Sequence, residues 1–587
     1  MKIKRLIPLS ILALLALAGC TTTNSNSNTN NNSSGSDYSY NDPIVIDEPE
    51  EIEVEEVESD FSIETEDGEY TQNSNIYTIS KAGTYSLSGQ LNGQILISAG
   101  EDDEVILELN GVSIAYDKDS PIKALSGSKL EISAKKDTGN TVKDNRSVKT
   151  VDDENQGEGA ISADIDLKLK GSGTLVVTGN YNNAVHTTKD LTIQKLTLKA
   201  SGYNNALKGK DSVNITSGNV QAYAVTGNGI KTENSDLSSK GNQRGTISIV
   251  GGTVYVDSLR DGIDATYNVE IGEEDSENPT NITVKTGTNS SNYNKSTFKA
   301  DSEKGLKAQN NIIVNKGTVV ISASDDAIHA NYGDALDNGS KGQGNITVND
   351  GLIQVASGDD GLHADNTLTI AGGKIVVTNA SEGYEANYIN INGGYSYIYG
   401  SDDGVNCSKK SFSSCAFTMT DGYLDVAVRS GDTDGIDSNG NFTMSGGTII
   451  TRGSPGTQSG MSTGMDVDGT ISMTGGTLIA FNGLETSPST SGTIKYAGTS
   501  GAQSSGMGGQ TNPGGGGPRF AYSSSSLSSG DYTLSGNGLD ISFTNDYAYS
   551  SFQIYSSLLT SGSTYTLARN SSTVYSWTQS STSVTIS

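Results

Sequence analysis

The feature that most constrains this fold is a short pattern that keeps returning through the middle of the chain. It consists of a polar turn residue, Gly or Ala, an apolar residue, a polar residue and a small one. It reads NNALKG, GNGIKT, RDGIDA, EKGLKA, DDAIHA, DDGLHA, SEGYEA, DDGVNC and TDGIDS. The apolar members are Ile122, Ile161, Val185, Leu207, Ile230, Ile263, Leu306, Ile328, Leu362, Tyr384, Val405, Ile436 and Met465, spaced 21 to 24 residues apart where no loop intervenes. A fixed period of this length means stacked units that bury a common core. Each unit holds two further strand signals: a short alternating run such as LTI or ITV, then a Gly-led run such as GGTVYVDS or GGKIVVTN. Three strands per turn predict an all-β chain wound as a single parallel β-helix of about thirteen coils with loop insertions. The fixed Leu and Asn consensus of leucine-rich repeats is absent. Gly and Asn interrupt every stretch that a helical repeat would need. At about 4.8 Å per coil the rod is on the order of 60 Å long.

Alternation assigns the side chains. In DGLHA the Leu points in, the His out and the Ala in, with Ala265, Ala308, Ala330, Ala364 and Ala386 at the small inward position. A slip of one residue would bury His363 and expose Leu362, so the register is strongly specified. The repeat fades after Leu484. We divide the chain into a leader (1–19), a disordered tether (20–60), the coiled body (61–485), a Gly/Ser-rich linker (486–518) and a C-terminal β module or cap (519–587). A cap would protect the last coil from edge-to-edge association. Only Cys407 and Cys415 follow Cys20, eight positions apart, and their spacing is compatible with a local disulfide or with free thiols.

Stacking turns equal positions into ladders. Two residues before the anchor run Asn183, Asn205, Asn228, Asp261, Lys304, Asp326, Asp360, Glu382, Asp403 and Asp434. The amide part suits a hydrogen-bonded Asn stack. The acidic part adds Asp325, Asp359 and Asp402 beside it. Like charges 4.8 Å apart repel by about 1 kcal/mol in water and by several times that near an effective dielectric of 20. Such a stack calls for a counterion or protonation, and hard oxygen donors in turns favour Ca²⁺. The same residues also suit solvated Asx turns. The outward ladder beside the anchor carries Lys231, Lys307 and all three histidines, His186, His329 and His363. The His329 and His363 pair suits a metal, a titration near pH 6, or simply an exposed polar strand. Insertions at 233–244, 273–279, 331–344 and 408–414 cluster just after this ladder and are expected to wall a binding face. Tyr395, Tyr397 and Tyr399 are expected to face outward and suit stacking on sugar rings.

The net charge of −30 argues against nucleic acid, which needs a basic surface. At the N-terminus, Lys2, Lys4 and Arg5 precede an apolar run and then Leu17, Ala18, Gly19 and Cys20, a signal-peptide layout too short to span a membrane. Its last four residues resemble the lipobox of bacterial lipoproteins. That resemblance implies acylation at Cys20 and an exported, surface-exposed, lipid-anchored protein.

From about Tyr77 to Leu567 the chain resembles the bacterial carbohydrate-binding parallel β-helix proteins, often surface lipoproteins, related in fold to polysaccharide lyase family 9. The resemblance rests on GTYSLSGQLNGQILISA, VILELNGVSI, SPIKA, GAISA, the DDGLHA-type repeats and a closing GSTYTL. It implies a calcium-stabilised right-handed β-helix that binds polysaccharide, with polygalacturonate and cellulose as candidate ligands. Asp325, Asp326, Asp359, Asp360, Asp402 and Asp403 match its calcium motif, and Asp434 continues their ladder. SEGYEA departs at Ser381 and Glu382, which puts a ligand from that coil in doubt. The expected function is therefore non-catalytic, calcium-dependent polysaccharide binding, with Lys231, Lys307, His329, His363, Tyr395 and Tyr397 as ligand contacts. A lyase using Ca²⁺ and a Lys base, or a structural adhesin, are the other readings. No catalytic set can be fixed from the residues.

Overall fold

The computed structural model describes residues 44–55, 57–151, 155–273, 279–429, 431, 433–455, 462–499 and 527–586. Cys20 and the leader lie outside them. Among these residues there is no α-helix, and the body is one long, mostly parallel sheet wound as a solenoid. Each turn contributes three strands, and each strand pairs in parallel with its equivalent in the next turn. On the anchor face, Leu306–Ala308 pairs with Ile328–Ala330, which pairs with the start of Leu362–Ile370. On the middle face, Asn311–Val314 pairs with Asn345–Val348. On the third face, Leu352–Ala356 pairs with Lys374–Asn379 and then Tyr395–Gly400.

The register is the one that alternation dictates. Ile263, Leu306, Ile328, Leu362, Tyr384, Val405, Ile436 and Met465 stack in one column, and Asp264, Lys307, His329, His363, Glu385, Asn406, Asp437 and Asp466 stack beside it. The anchors are buried, as are Ala265, Ala308, Ala330, Ala364 and Ala386. The glycine before the anchor recurs because the coil closes tightly there. A Cβ at Gly383 would sit 2.0 Å from Ile398 Cγ2 and 2.7 Å from the Gly404 carbonyl oxygen. Burying mostly branched apolar side chains, with small or aromatic ones at some positions, on the inward side of the strands lets one apolar column run the length of the body.

The ends depart from the expected boundaries. Residues 44–55, expected in the tether, lie against the third face through hydrogen bonds to Lys199, Gln221, Tyr255 and Lys285. Within the expected linker, Ser489–Thr490 and Lys495–Thr499 are strands. Residues 500–526 lie outside the described set. Phe552–Ser556 pairs antiparallel with Thr477–Phe481 of the last coil, and so covers its edge. Gly530–Gly536, Leu539–Asn545, Thr564–Arg569 and Ser572–Thr578 form a separate antiparallel sheet. That sheet packs on the outward side of the third face, against Val376, Tyr397, Tyr423, Ile450 and Ile479. Arg452 fastens it. The fully buried guanidinium pairs with Asp425 and donates to Asn545 Oδ1 at 2.6 Å and to the Thr544 carbonyl at 3.0 Å.

Candidate functional site

The turn ladder is held by one repeated hydrogen bond. At most rungs the side-chain oxygen accepts the backbone N–H of the next rung. Asn205 N–H donates to Asn183 Oδ1 (3.3 Å), Asp360 N–H to Asp326 Oδ1 (3.0 Å), Glu382 N–H to Asp360 Oδ1 (3.2 Å) and Asp434 N–H to Asp403 Oδ1 (2.8 Å). A carboxylate serves this turn as well as an amide does, which is why the ladder switches from Asn to Asp without a change of fold. The difference is the second oxygen, which an Asp leaves negatively charged and turned toward the outward ladder.

In the middle of the ladder that charge meets cations. Lys231 Nζ bonds Asp264 Oδ2 at 2.6 Å, and Lys307 Nζ bonds Asp261 Oδ2 at 3.4 Å and Ser302 Oγ at 3.2 Å. Lys304 Nζ lies 2.9 Å from Asp325 Oδ1 and 2.7 Å from Asp326 Oδ2. The His329 and His363 rings stack with centroids 4.4 Å apart. Their Nδ1 atoms reach Asp326 (2.5 Å) and Asp360 (2.9 Å), and Asp365 Oδ1 bridges their Nε2 atoms at 3.6 and 3.4 Å. Burial pulls the His363 pKa down, but Asp360, Asp365, Asp326 and Glu385 overcome it and push it up to about 10. Burial would raise Asp326, yet its bonds to His329 and Lys304 hold it well below the usual carboxylate range. His186 behaves differently: burial and then Lys208 lower its pKa to about 3, so it stays neutral.

Further along, the cations run out. Burial raises Asp403 to about 8, helped by Asp437, Asp434 and Asp402. Burial and neighbouring carboxylates raise Asp434 to about 7 and Asp437 to about 6. Asp360 is likewise raised well above the carboxylate range, by burial and by Glu382 and Asp326.

Two all-carboxylate groups bring donor oxygens within 4.8 Å of one another: Asp325, Asp326 and Asp359, and Asp359, Asp360 and Glu382. Lys304 already supplies the cation for the first. The second has hard oxygens, raised pKa values at Asp359 and Asp360, and His363 on Asp360 as its one bonded cation, with no lysine, so it fits a hard dication better than the first. Glu382, doubted from sequence, belongs to it. Asp402, Asp403 and Asp434 form no such group among the described residues. Two mixed groups, Asp326 with His329 and His363, and Asp360 with His363 and Glu385, lie directly beside these.

Insertions 233–244, 331–344 and 408–414 wall this ladder and bury more of it than alternation alone predicts, whereas 273–279 falls instead between the middle-face strand Asn268–Ile271 and the third-face strand Thr280–Thr286, with 274–278 outside the described residues. Glu385 and Asp264 are buried and His363 is 9% exposed. Loops 233–244 and 331–344 hold each other through Ser235 N–H to Asp337 Oδ2 (2.9 Å) and Asn338 Nδ2 to Gln243 Oε1 (2.8 Å). Loop 408–414 contributes Lys410, whose Nζ bonds Glu385 Oε2 at 2.5 Å. It also contributes Phe412, which contacts Tyr332 at 4.6 Å and Tyr388 at 5.9 Å. Tyr332 is 40% exposed, and its N–H donates to Asp365 Oδ2, so this aromatic wall adjoins the histidine pair.

The expected tyrosine platform is corrected. Only Tyr395 is exposed. Tyr397 and Tyr399 are buried beneath the C-terminal sheet, which leaves no free ring face for a sugar. Cys407 and Cys415 are both buried free thiols. Sequence reasoning missed Asp365, Lys410, Tyr332 and Phe412. Of these, Asp365 alone carried a signal: two residues past His363, it shares the outward side.

Comparisons with known proteins agree with this picture in part. A carbohydrate-binding domain-containing protein of Acetivibrio thermocellus is 36% identical over 126 residues, covering 21% of this chain and 44% of that protein. The chain thus spans less than half the length of that relative. A solved structure of a polysaccharide lyase-like protein from C. thermocellum, a gadolinium derivative, is 33% identical and covers 37% of this chain and 83% of its own, with a TM-score of 0.33. The family model for carbohydrate-binding domain-containing proteins matches residues 73–340 and 333–383, more than half of the chain, and the protein therefore belongs to that family.

Proposed function

We propose that this protein is a non-catalytic, calcium-dependent polysaccharide-binding protein, exported and held at the cell surface by lipid on Cys20. Its ligand is an acidic, polygalacturonate-like chain, with a cellulosic chain as the other candidate. The coiled body, in this reading, is a right-handed parallel β-helix that presents the ladder as a groove. The observation that carries the proposal is that the Asp359, Asp360 and Glu382 carboxylates at one end of the anchor strand are linked through His363 and Asp365 to the aromatic wall of Tyr332, Phe412 and Tyr388 at its other end. Those three carboxylates would hold Ca²⁺, which would supply a bridge to a ligand carboxylate. Asp402, Asp403 and Asp434 extend the same stack as further calcium ligands. Asp325 and Asp326 take part only where Lys304 yields. Aromatic rings suit the apolar faces of sugars, and paired Lys and His groups suit uronate carboxylates.

Lyase chemistry needs a neutral lysine to remove a proton beside the uronate carboxylate. Burial would lower the Lys231 pKa, but Asp264 raises it above its ordinary value and so keeps the amine charged. This weighs against Lys231 as the base. Incubating the full chain with polygalacturonate, with and without Ca²⁺, separates the readings. Calcium-dependent retention with no unsaturated product is expected. Ultraviolet absorbance from unsaturated ends would make it a lyase, and no retention would leave an adhesin.

A further inference from the structure

The N-terminal segment 44–55 crosses the third face at right angles to its strands. Ile44, Ile46, Pro49, Ile52 and Val54 are half-buried, while Glu48, Glu50, Glu51 and Glu53 remain exposed. Glu48 accepts from Lys285 Nζ and from the Tyr255 hydroxyl, both at 2.5 Å. Glu51 accepts from Lys199 Nζ at 3.0 Å, and the Glu50 carbonyl from Gln221 Nε2 at 2.9 Å. Val57 N–H reaches Ser113 Oγ at 3.3 Å.

The spacing has a simple origin. Ser113, Thr141, Val176, Lys199, Gln221, Tyr255 and Thr283 form one outward row, a rung apart. From Ser113 to Thr283, the coil that also bears Lys285, the row covers about 29 Å at 4.8 Å per rung. From Glu48 to Val57 an extended chain covers about 30 Å. An extended polyanion is thus laid along the row, with carboxylates meeting its two lysines.

The surface beneath has the chemistry of a carboxylated-sugar platform. Lys199 Nζ sits 5.8 Å from the Tyr223 ring centroid, and the Tyr223 and Tyr255 rings lie 5.8 Å apart. The acidic group on this patch, Asp257, is occupied: Ser290 Oγ and the Ser291 N–H donate to it, and Lys285 lies 3.8 Å away. The Glu48 and Glu51 side chains are 61% and 69% exposed, so their pairs are weak and displaceable. A cleft of about 600 Å³ remains between the segment's Glu53, Val54 and Val57 and the coils at Gly111, Gly139 and Gly173.

We propose that Lys199, Tyr223, Tyr255 and Lys285 form a second, calcium-independent binding face for a carboxylate-bearing polysaccharide, and that the acidic segment covers it in cis as a competitor. From the preceding reading the proposal takes only the ligand's chemical class. The test uses the full chain, polygalacturonate as probe and a chelator, which silences the calcium ladder. Glu48→Gln with Glu51→Gln should tighten binding at least threefold, with a gain that shrinks as salt rises. Adding Lys199→Ala and Lys285→Ala should remove that gain. An unchanged affinity in the Gln variant, or a gain that survives the lysine substitutions, would overturn the proposal. Calcium-dependent retention of the wild-type chain is read separately, so either claim can fail alone.

Discussion

Replacing Asp403 with asparagine separates its two roles. The amide oxygen keeps the bond from the Asp434 N–H, made at 2.8 Å by Oδ1, while the charge disappears. Burial and the Asp437, Asp434 and Asp402 carboxylates raise the Asp403 pKa to about 8, against an unfolded value near 3.9. A folded pKa above the unfolded one means that the native state binds the proton more tightly. Stability from this group is therefore full below about pH 4 and is lost as pH rises toward 8. At about 1.36 kcal/mol per pH unit the loss at pH 7 is about 4 kcal/mol. Water and ions at this half-buried turn screen part of the repulsion, so a net effect of about 1–2 kcal/mol is expected. In urea unfolding with chelator, Asp403→Asn should be more stable than wild type by that amount at pH 7 and equal to it at pH 4. Saturating Ca²⁺ should reverse the order, since a ligand at a hundred times its Kd adds about 2.7 kcal/mol to the protein that binds it. A variant less stable than wild type in chelator, or an equal calcium gain in both, would refute the reasoning.

Other outcomes follow from the same contacts. His363→Gln should cost about 1.5–3 kcal/mol at pH 6, because a charged hydrogen bond to Asp360 is lost. With the His363 pKa pushed up to about 10, that stabilisation is complete below its unfolded pKa near 6.5 and lost as pH rises through 10, so wild type and variant should converge at high pH in chemical denaturation. A gap that does not narrow would remove His363 as a buried cation. Arg452→Met leaves Asp425 buried without its ion-pair partner and should cost about 3–5 kcal/mol, read as faster hydrogen exchange in 530–586. Adding Asp425→Leu should recover much of it; no recovery would mean that the pair is not the fastening. Phe412→Ala should weaken polygalacturonate binding about fivefold while leaving the calcium effect on Tm unchanged, and an unaltered affinity would take the aromatic wall out of the site.

How far the sequence reaches depends on whether a position is set within one coil or by distant chain. The stacking of His329 on His363 and of Asp326 on Asp360 was legible, because alternation and a 22-residue period leave one register that buries Leu362. The compensation of Asp325 and Asp326 was half legible, since Lys304 stood in the ladder but its reach to the next coil did not. Tyr397 and Tyr399 were misread because alternation tells inward from outward, while only tertiary packing decides whether the outward side is covered by Phe543 and its sheet. Lys410 and Phe412 arrive on an insertion whose path no period specifies. Residues 44–55 show a short alternation, as in Glu51 to Glu55, but the 22-residue period does not extend to them. Their place follows from carboxylates meeting lysines on two separate coils, Lys199 and Lys285.

The central claim is calcium-dependent retention of an acidic polysaccharide on the carboxylate ladder. The most direct test is the affinity of the full chain for polygalacturonate in Ca²⁺ and in chelator, beside the same measurement on Asp359→Asn with Glu382→Gln. The account predicts at least tenfold tighter binding in Ca²⁺ for wild type and no calcium effect for the variant. Equal affinity in both conditions for wild type, or an undiminished calcium effect in the variant, would contradict it.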